Sequence, residues 1–276
     1  TSAAKLGSIL AHQFSPRPMK RATDLFSRLI AGALPPALPL LPLLPRLLLP
    51  RLLPSACAGC GVSGARVICA GCAACLEDTC ARCTRCALPL AVSFPQPLLC
   101  GQCIVAPPAL DAALCVADYE APADAFVLAL KFHRRLALAG YLASTLAGRA
   151  LAASLVLPDL VAPVPLSSRR LASRGYNQAW EIARPFARHL RRPAAARLLT
   201  RSRDTRAQAE LPAAERRLNM QCAFEVPRPA AVRARHIGLV DDVMTSGATL
   251  DAAARALKQA GAARVTAFVI LRTPKP

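Results

Sequence analysis

The sequence predicts an α/β protein, with a doubly wound, mainly parallel sheet following an N-terminal cysteine-rich module. Two observations carry this. From Ala113 onward, short apolar strings alternate with amphipathic stretches, the pattern of strand and helix units in a parallel sheet. Ahead of them, ten of the twelve cysteines fall between Cys57 and Cys103, most of them paired as C-x-x-C. A chain of 276 residues that is 54% hydrophobic and 18% charged can bury a substantial core, which excludes wholesale disorder and a short disulfide-stapled fold.

The organisation read from composition is a Pro/Leu-rich leader over 1–54, a cysteine module over 55–108 and the α/β part over 109–276. Leu34 to Leu53 approaches the length of a membrane span, but Pro35, Pro36, Pro39, Pro42, Pro45 and Pro50 interrupt it, so no stable membrane insertion is expected. A signal peptide is the rival reading, since Lys20, Arg21 and Arg28 precede the apolar run and a lipidated Cys57 would be the matching anchor. Pro54 sits badly at such a processing site, and export would expose the cysteines to oxidation. Met19 is an alternative start. A cytoplasmic protein is therefore expected.

In the cysteine module, Cys57, Cys60, Cys69 and Cys72 form one group of four thiols, and Cys83, Cys86, Cys100 and Cys103 a second. Two residues between thiols make a tight knuckle, and two facing knuckles close a tetrahedral shell, so two structural zinc ions are expected in a double zinc ribbon. Histidine is absent from this stretch, which argues against hydrolytic zinc. Cys75 and Cys80 leave the register open, because Cys72-x-x-Cys75 and Cys80-x-x-Cys83 are also legal knuckles; an iron–sulfur cluster is the runner-up. Cys115 and Cys222 stand alone in apolar strings and read as buried small hydrophobes.

The α/β part reads in order as a strand over 113–119, helices over 123–135 and 138–153, and a strand over 160–163. A helix over 176–190 follows despite Pro185, and a shorter helix ends at Asn219. The last three elements are a strand over 236–240, a helix over 249–260 ended by Gly261, and a strand over 264–271. Lys and Arg number 35 against 16 Asp and Glu, a net +19, which favours anionic partners unless it reflects only an arginine-rich proteome. Aromatic residues make up 4%, which disfavours readers that stack many bases.

The stretch Ile237-Gly-Leu-Val-Asp-Asp-Val-Met-Thr-Ser-Gly-Ala-Thr-Leu250 is the second chemical signal. A strand delivers Asp241 and Asp242 to its carboxyl end, and Thr245, Ser246, Gly247, Ala248 and Thr249 lead directly into a helix. Such a loop offers successive N–H groups, hydroxyls and a helix N-terminus to a phosphate monoester. The acids can accept from two neighbouring sugar hydroxyls, directly or through hydrated Mg²⁺.

That segment resembles the phosphoribosyl-pyrophosphate motif of type I phosphoribosyltransferases. Together with the cysteine groups, and with Leu130-Lys-Phe132, Pro163-Val-Pro-Leu166, Arg174-Gly-Tyr-Asn-Gln178, Gln208, Glu215-Arg216 and Asn219, the chain from about Leu52 is similar to the ComF family, also called GntX-like or competence protein F. The resemblance implies a type I phosphoribosyltransferase-like sheet, with phosphoribosyl pyrophosphate and Mg²⁺ bound at Asp241, Asp242 and 245–249. It places a pyrophosphate loop at Leu166, Ser167, Ser168 and Arg169, with Arg174 adding charge. It also implies a mobile catalytic loop over 201–217, where Arg203, Arg206 and Arg216 are candidate clamps beside plain readings as solvated charges.

The implied reaction displaces pyrophosphate at the anomeric carbon by a nitrogen acceptor. Thr245 stands where hypoxanthine-guanine enzymes carry an acid/base aspartate, which disfavours a 6-oxopurine. The other function class is a competence accessory protein that binds single-stranded DNA and the uptake machinery, with the sugar-phosphate pocket as a sensor. Nothing in the residues supports the gluconate-related role that one family label suggests.

Overall fold

A computed structural model of the chain describes residues 56–64, 67–77, 80–91, 98–153, 155–201 and 223–274. The chain divides into units 1–50 and 51–276, and every described residue belongs to the second. The leader, Met19, the helix expected to end at Asn219, Cys222 and the expected catalytic loop beyond Arg201 lie outside the described residues.

The central sheet consists of β1 (Ala112–Asp118), β2 (Leu160–Pro163), β5 (His236–Met244) and β6 (Arg264–Arg272). Its order is β1-β6-β5-β2 and every pairing is parallel. A further ribbon pairs β3 (Thr200–Arg201) with β4 (Phe224–Glu225) in antiparallel fashion. Parallel strands need crossovers, and the helices supply them on both faces. On one face lie α3 (Asp124–Phe132), α4 (Ala137–Ala152) and α6 (Gln178–His189), packed with Val240, Phe268 and Ile270. On the other lies α7 (Ala248–Gln259), whose Leu250, Ala253 and Leu257 pack with Ile237, Leu239, Val265 and Val269.

The helices follow from spacing. In α4, Leu138, Ala139, Leu142, Ala143, Leu146, Ala147 and Ala150 are buried at three- and four-residue intervals. In α6, Ile182, Ala183, Phe186 and Ala187 do the same, and Asn177 caps the helix by accepting from the Ala179 N–H. Pro185 inside α6 removes one helical donor. Packing compensates: the Phe186 and Phe268 rings meet at 4.9 Å between centroids. Among the described residues no helix is long and apolar enough to cross a membrane.

Several elements differ from the sequence reading, among them the unread β3–β4 ribbon and α3, which ends at Phe132 rather than Arg135. β5 runs through both aspartates to Met244 rather than stopping at Val240, because its ladder to β6 continues as far as Met244 and Arg272. β6 likewise extends one residue to Arg272. An unforeseen helix, α5 (Ser168–Arg174), precedes α6; Ser167 caps its start and Gly175, at φ 82°, ends it.

Both cysteine groups are built onto this scaffold. Short helices α1 (Ala70–Ala74) and α2 (Gly101–Val105) each follow a cysteine at the N-cap, Cys69 and Cys100. The first group's knuckle lies against α3 so closely that a Cβ on Gly59 would come within 2.6 Å of Phe126 Cε1. Arg135 and Arg149 donate to the carbonyls of Ala58 and Leu76 at 2.7 and 3.1 Å. The second group is tied to β1, with Arg82 reaching Asp118 at 2.9 Å and Ala113 N–H donating to Thr84 O at 2.9 Å.

Gly238 marks the tightest spot in β5, since an added Cβ would meet Pro158 Cγ at 2.9 Å and Phe268 Cε2 at 3.1 Å. Gly238→Ala is expected to destabilise the fold by about 1–3 kcal/mol through overpacking, read as a lower urea midpoint. An unchanged midpoint would show that the helix layer yields without cost.

Candidate functional site

The site forms at the carboxyl ends of β5 and β2, which lie side by side: Val164 N–H donates to Val240 O at 2.9 Å. Ligands in open parallel sheets bind at this edge. Here Asp241 keeps partial exposure, whereas Asp242 is buried. Lys131, near the end of α3, sets its ammonium 2.8 Å from Asp242 Oδ2, with side-chain exposures of 20% and 5%. This contact is an ion pair rather than an aligned hydrogen bond, since Oδ2 has no hydrogen-bond donor. Backbone N–H groups of Asp242 and Val243 donate to Asp241 Oδ1 and Asp242 Oδ1 at 2.9 and 3.0 Å.

Burial, followed by repulsion from the Asp242 carboxylate, pushes the Asp241 carboxyl well above the usual range, against the pull of Lys131. The pair therefore wants a further positive or hydrogen-donating partner. Oxygen donors of this kind fit Mg²⁺ or a sugar diol.

The expected phosphate loop follows. Thr245, Ser246 and Ala248 are exposed, and Gly247 adopts φ 81°, the left-handed region a side chain disfavours, at the N-cap of α7. A Cβ there would also strike Met244 Cε at 2.7 Å. Ser246 Oγ accepts from Ala248 N–H at 3.3 Å, so the loop is partly self-capped. Thr249 sits in the first turn, half-buried.

The expected pyrophosphate loop is more mixed. Leu166 is half-buried, and Ser167 is buried, its hydroxyl accepting from Arg170 N–H at 3.5 Å. Its side chain is thus spent on capping α5. Ser168 and Arg169 face solvent. Arg174 closes α5 instead of preceding a helix freely; it donates to Gln178 Oε1 and lies 5.6 Å from the Phe132 ring centroid. Arg203, Arg206 and Arg216 lie outside the described residues.

The motif segments converge. Tyr176 Oη donates to Leu130 O, and Asn177 Nδ2 to Val164 O at 3.0 Å, joining 130–132, 163–166 and 174–178 around Asp242. Lys131 had no assigned role from sequence; its signal was its place in the Leu130-Lys-Phe132 segment.

The eight cysteines fall into the two expected quartets, each with all sulfurs within 4.8 Å of one another, and Cys75 and Cys80 lie outside both. Cys60 to Cys69 spans 3.7 Å and Cys86 to Cys100 spans 3.6 Å. A tetrahedral zinc with bonds near 2.3 Å requires about 3.8 Å between sulfurs, so the donor set and its size are compatible with structural zinc. The thiols also polarise. Burial opposes Cys57 ionisation, yet N–H groups of Cys60, Cys69 and Gly59 pull it down to about 6; Cys83 falls to about 7 in the same way through Cys100, Arg85 and Cys86. Burial and neighbouring thiols push Cys72 and Cys103 up, and Cys86 rises to about 11. Four crowded thiols cannot all ionise without a cation. Cys115 is buried, its thiol 4.0 Å from the Ala87 carbonyl oxygen.

The raised Asp241 value has a stability consequence. Its cost is absent below the ordinary carboxyl value near 4 and grows as pH rises toward the raised folded value. Asp241→Asn is expected to raise Tm near pH 7, by about 2–4 °C for each ~1 kcal/mol relieved, and to leave it unchanged near pH 3. Equal Tm values for parent and variant at both pH values would contradict this.

The phosphoribosyl transferase domain family matches residues 160–276. The chain is 37% identical over 210 residues to DNA utilization protein YhgH of Salmonella typhimurium, covering 75% of this chain and 90% of that protein. It is 32% identical to competence protein F of Haemophilus influenzae, over 63% of this chain and 78% of that one. Against competence protein ComFC of Bacillus subtilis the identity is 36%, over 44% and 48%. With a parallel sheet, helices on both faces and two N-terminal cysteine quartets, this chain belongs to the ComF family of competence and DNA utilization proteins.

Proposed function

We propose that the chain binds phosphoribosyl pyrophosphate with Mg²⁺ and transfers phosphoribose to a nitrogen acceptor. The observation carrying the reading is the union, at one strand end, of a mutually repelling carboxylate pair with an exposed helix start opened by left-handed Gly247. Asp241 and Asp242 accept from the ribose hydroxyls. Backbone N–H groups of 246–249 and the hydroxyls of Thr245, Ser246 and Thr249 hold the 5′-phosphate. Backbone N–H groups around 166–169, with Arg169, take the pyrophosphate.

The bond broken joins the anomeric carbon to the pyrophosphate oxygen, and the bond formed joins that carbon to the acceptor nitrogen. Bound Mg²⁺ supplies charge neutralisation to the departing pyrophosphate. Arg203 and Arg206 are assigned as clamps that exclude water around it. Zinc on the two quartets is structural, with the metal-binding part over 55–108 and the transferase-like part over 109–276. Thiols that bind metal rather than pair as disulfides suit a reducing compartment, and the proposed setting is the cytoplasm.

A second reading rests on a separate feature. Phe132 is 66% exposed at the end of α3, one side faced by Arg174, with Arg134 and Arg135 following in the chain. An open ring among arginines suits an unstacked base, in line with the names of the DNA utilization and competence relatives.

Calorimetric titration of phosphoribosyl pyrophosphate with Mg²⁺ tests the first reading. The parent is expected to bind, and the Asp241→Asn, Asp242→Asn double variant to lose roughly a hundred-fold or more, from two charged hydrogen bonds of about 1.5 kcal/mol or more each. A parent that does not bind refutes it. For the second, labelled single-stranded oligonucleotide should bind with affinity falling steeply as salt rises, and Phe132→Ala should weaken it about ten-fold. Salt-insensitive binding, or none, would remove the DNA reading.

A further inference from the structure

Arg272, the last residue of β6, is 1% exposed and is the largest fully buried side chain among the described residues. Its Nε donates to Cys86 O at 2.9 Å. Its Nη1 donates to Met244 O at 3.0 Å, to Thr273 O at 2.7 Å and to Thr245 O. All four acceptors are carbonyls. A guanidinium keeps its charge and is costly to desolvate, so it persists in such a place only where its fork is filled.

What the fork joins is informative. Met244 and Thr245 form the step from β5 into the phosphate loop, where the ladder to β6 ends. Thr273 N–H also donates to Met244 O at 3.0 Å, and the Met244 side chain fills the space that forbids a Cβ on Gly247. The loop is thus gripped from the β6 side. Cys86, at the other end of the fork, belongs to the second quartet. Its knuckle is closed by Ala87 N–H donating to Cys83 O at 2.8 Å and by Ala87 at φ 55°, a left-handed value held for a non-glycine residue. A cavity of about 210 Å³ lies between the two, lined by Cys86, Cys103, Ser246, Gly247, Ala248 and Arg272 among others. The first quartet reaches the fold differently, through Ala58 to Arg135 between α3 and α4 and through Leu76 to Arg149 of α4.

We propose that Arg272 is a positioning residue through which the second cysteine quartet sets the conformation of the phosphate loop, so that metal occupancy of Cys83, Cys86, Cys100 and Cys103 governs how well the loop holds a phosphate. The fit of that quartet to a divalent cation is the one established above. Loss of the cation frees the knuckle, moves the Cys86 carbonyl and leaves the fork short of an acceptor. The fork then loosens at Met244 and Thr245. Only the affinity consequence rests on the proposed sugar-phosphate reading; the coupling is a property of the fold.

The test is amide hydrogen exchange of the full chain across 245–249, with zinc content measured on every sample. Parent, Arg272→Met, Arg272→Lys, Cys100→Ser and Cys60→Ser are compared, and exchange in β5 and β6 reports whether the sheet is intact. Arg272→Met is expected to retain both zinc ions yet speed loop exchange roughly ten-fold, about what one lost buried hydrogen bond allows. Arg272→Lys is expected to fall between it and parent, because an ammonium lacks the planar fork. Cys100→Ser should lose one zinc and speed the same amides, whereas Cys60→Ser should lose one zinc without doing so.

Parent-like loop exchange in Cys100→Ser would overturn the proposal, as would zinc loss from Arg272→Met matching that of Cys100→Ser. If Arg272→Met unfolds the sheet, Arg272→Lys decides by the same criterion. Titration of the same samples with phosphoribosyl pyrophosphate and Mg²⁺ separates the two readings. A parent that fails to bind sinks the donor-site reading while the exchange result still decides the coupling.

Discussion

Two adjacent carboxylates at the end of one strand, Asp241 and Asp242, are costly to desolvate and repel each other. Lys131 meets Asp242 from α3 at 2.8 Å. For the ammonium to arrive there, α3 must end at the right height. Its end is held by Tyr176 donating to Leu130 O and by Arg174 over Phe132. Its flank is held by the first cysteine knuckle, seated against Phe126 at Gly59. A module distant in sequence from the acids thereby supports the cation paired with Asp242.

The second quartet does comparable work on the opposite side of the site. A stretch as short as 80–103 has little apolar surface with which to order itself, and its cysteine quartet is compatible with a structural metal shell that would substitute for a core. It offers the Cys86 carbonyl to Arg272, which also donates to Met244 O at the start of the 245–249 loop. The first quartet packs against α3, which carries Lys131, and the second contacts β6 through Arg272. This division explains why the cysteine-rich part shares its core with the sheet, Cys57, Ile68 and Leu76 packing with one face and Ala87 with the other.

The site also concentrates features that cost stability. Asp241 is pushed toward its neutral form, Gly247 holds a left-handed turn, and Ala87 does so without being glycine. Such strain persists where surrounding packing is secure. Here the security comes from a nine-residue parallel ladder between β5 and β6 with large apolar side chains on both faces. Exposed Thr245, Ser246 and Ala248 meanwhile leave the loop open to a ligand.

Local chemistry was legible in the sequence wherever it depended on spacing. C-x-x-C pairs name thiol knuckles because two intervening residues suit one ion, and alternating apolar strings name a parallel sheet because both its faces are covered. The Asp241-Asp242 pair and the 245–249 loop were legible for the same reason, being contiguous along the chain. Helix α5 was not, because its seven residues bury no apolar face and carry no periodic signal. Exclusion of Cys75 and Cys80 needed coordinates, since every candidate knuckle satisfies the same spacing. The roles of Lys131 and Arg272 were decided by tertiary structure alone: Lys131 meets an acid 111 positions away and Arg272 a carbonyl 186 positions away. Spacing reports what a segment can do by itself; which buried charge meets which partner is decided only when strands from distant segments pair.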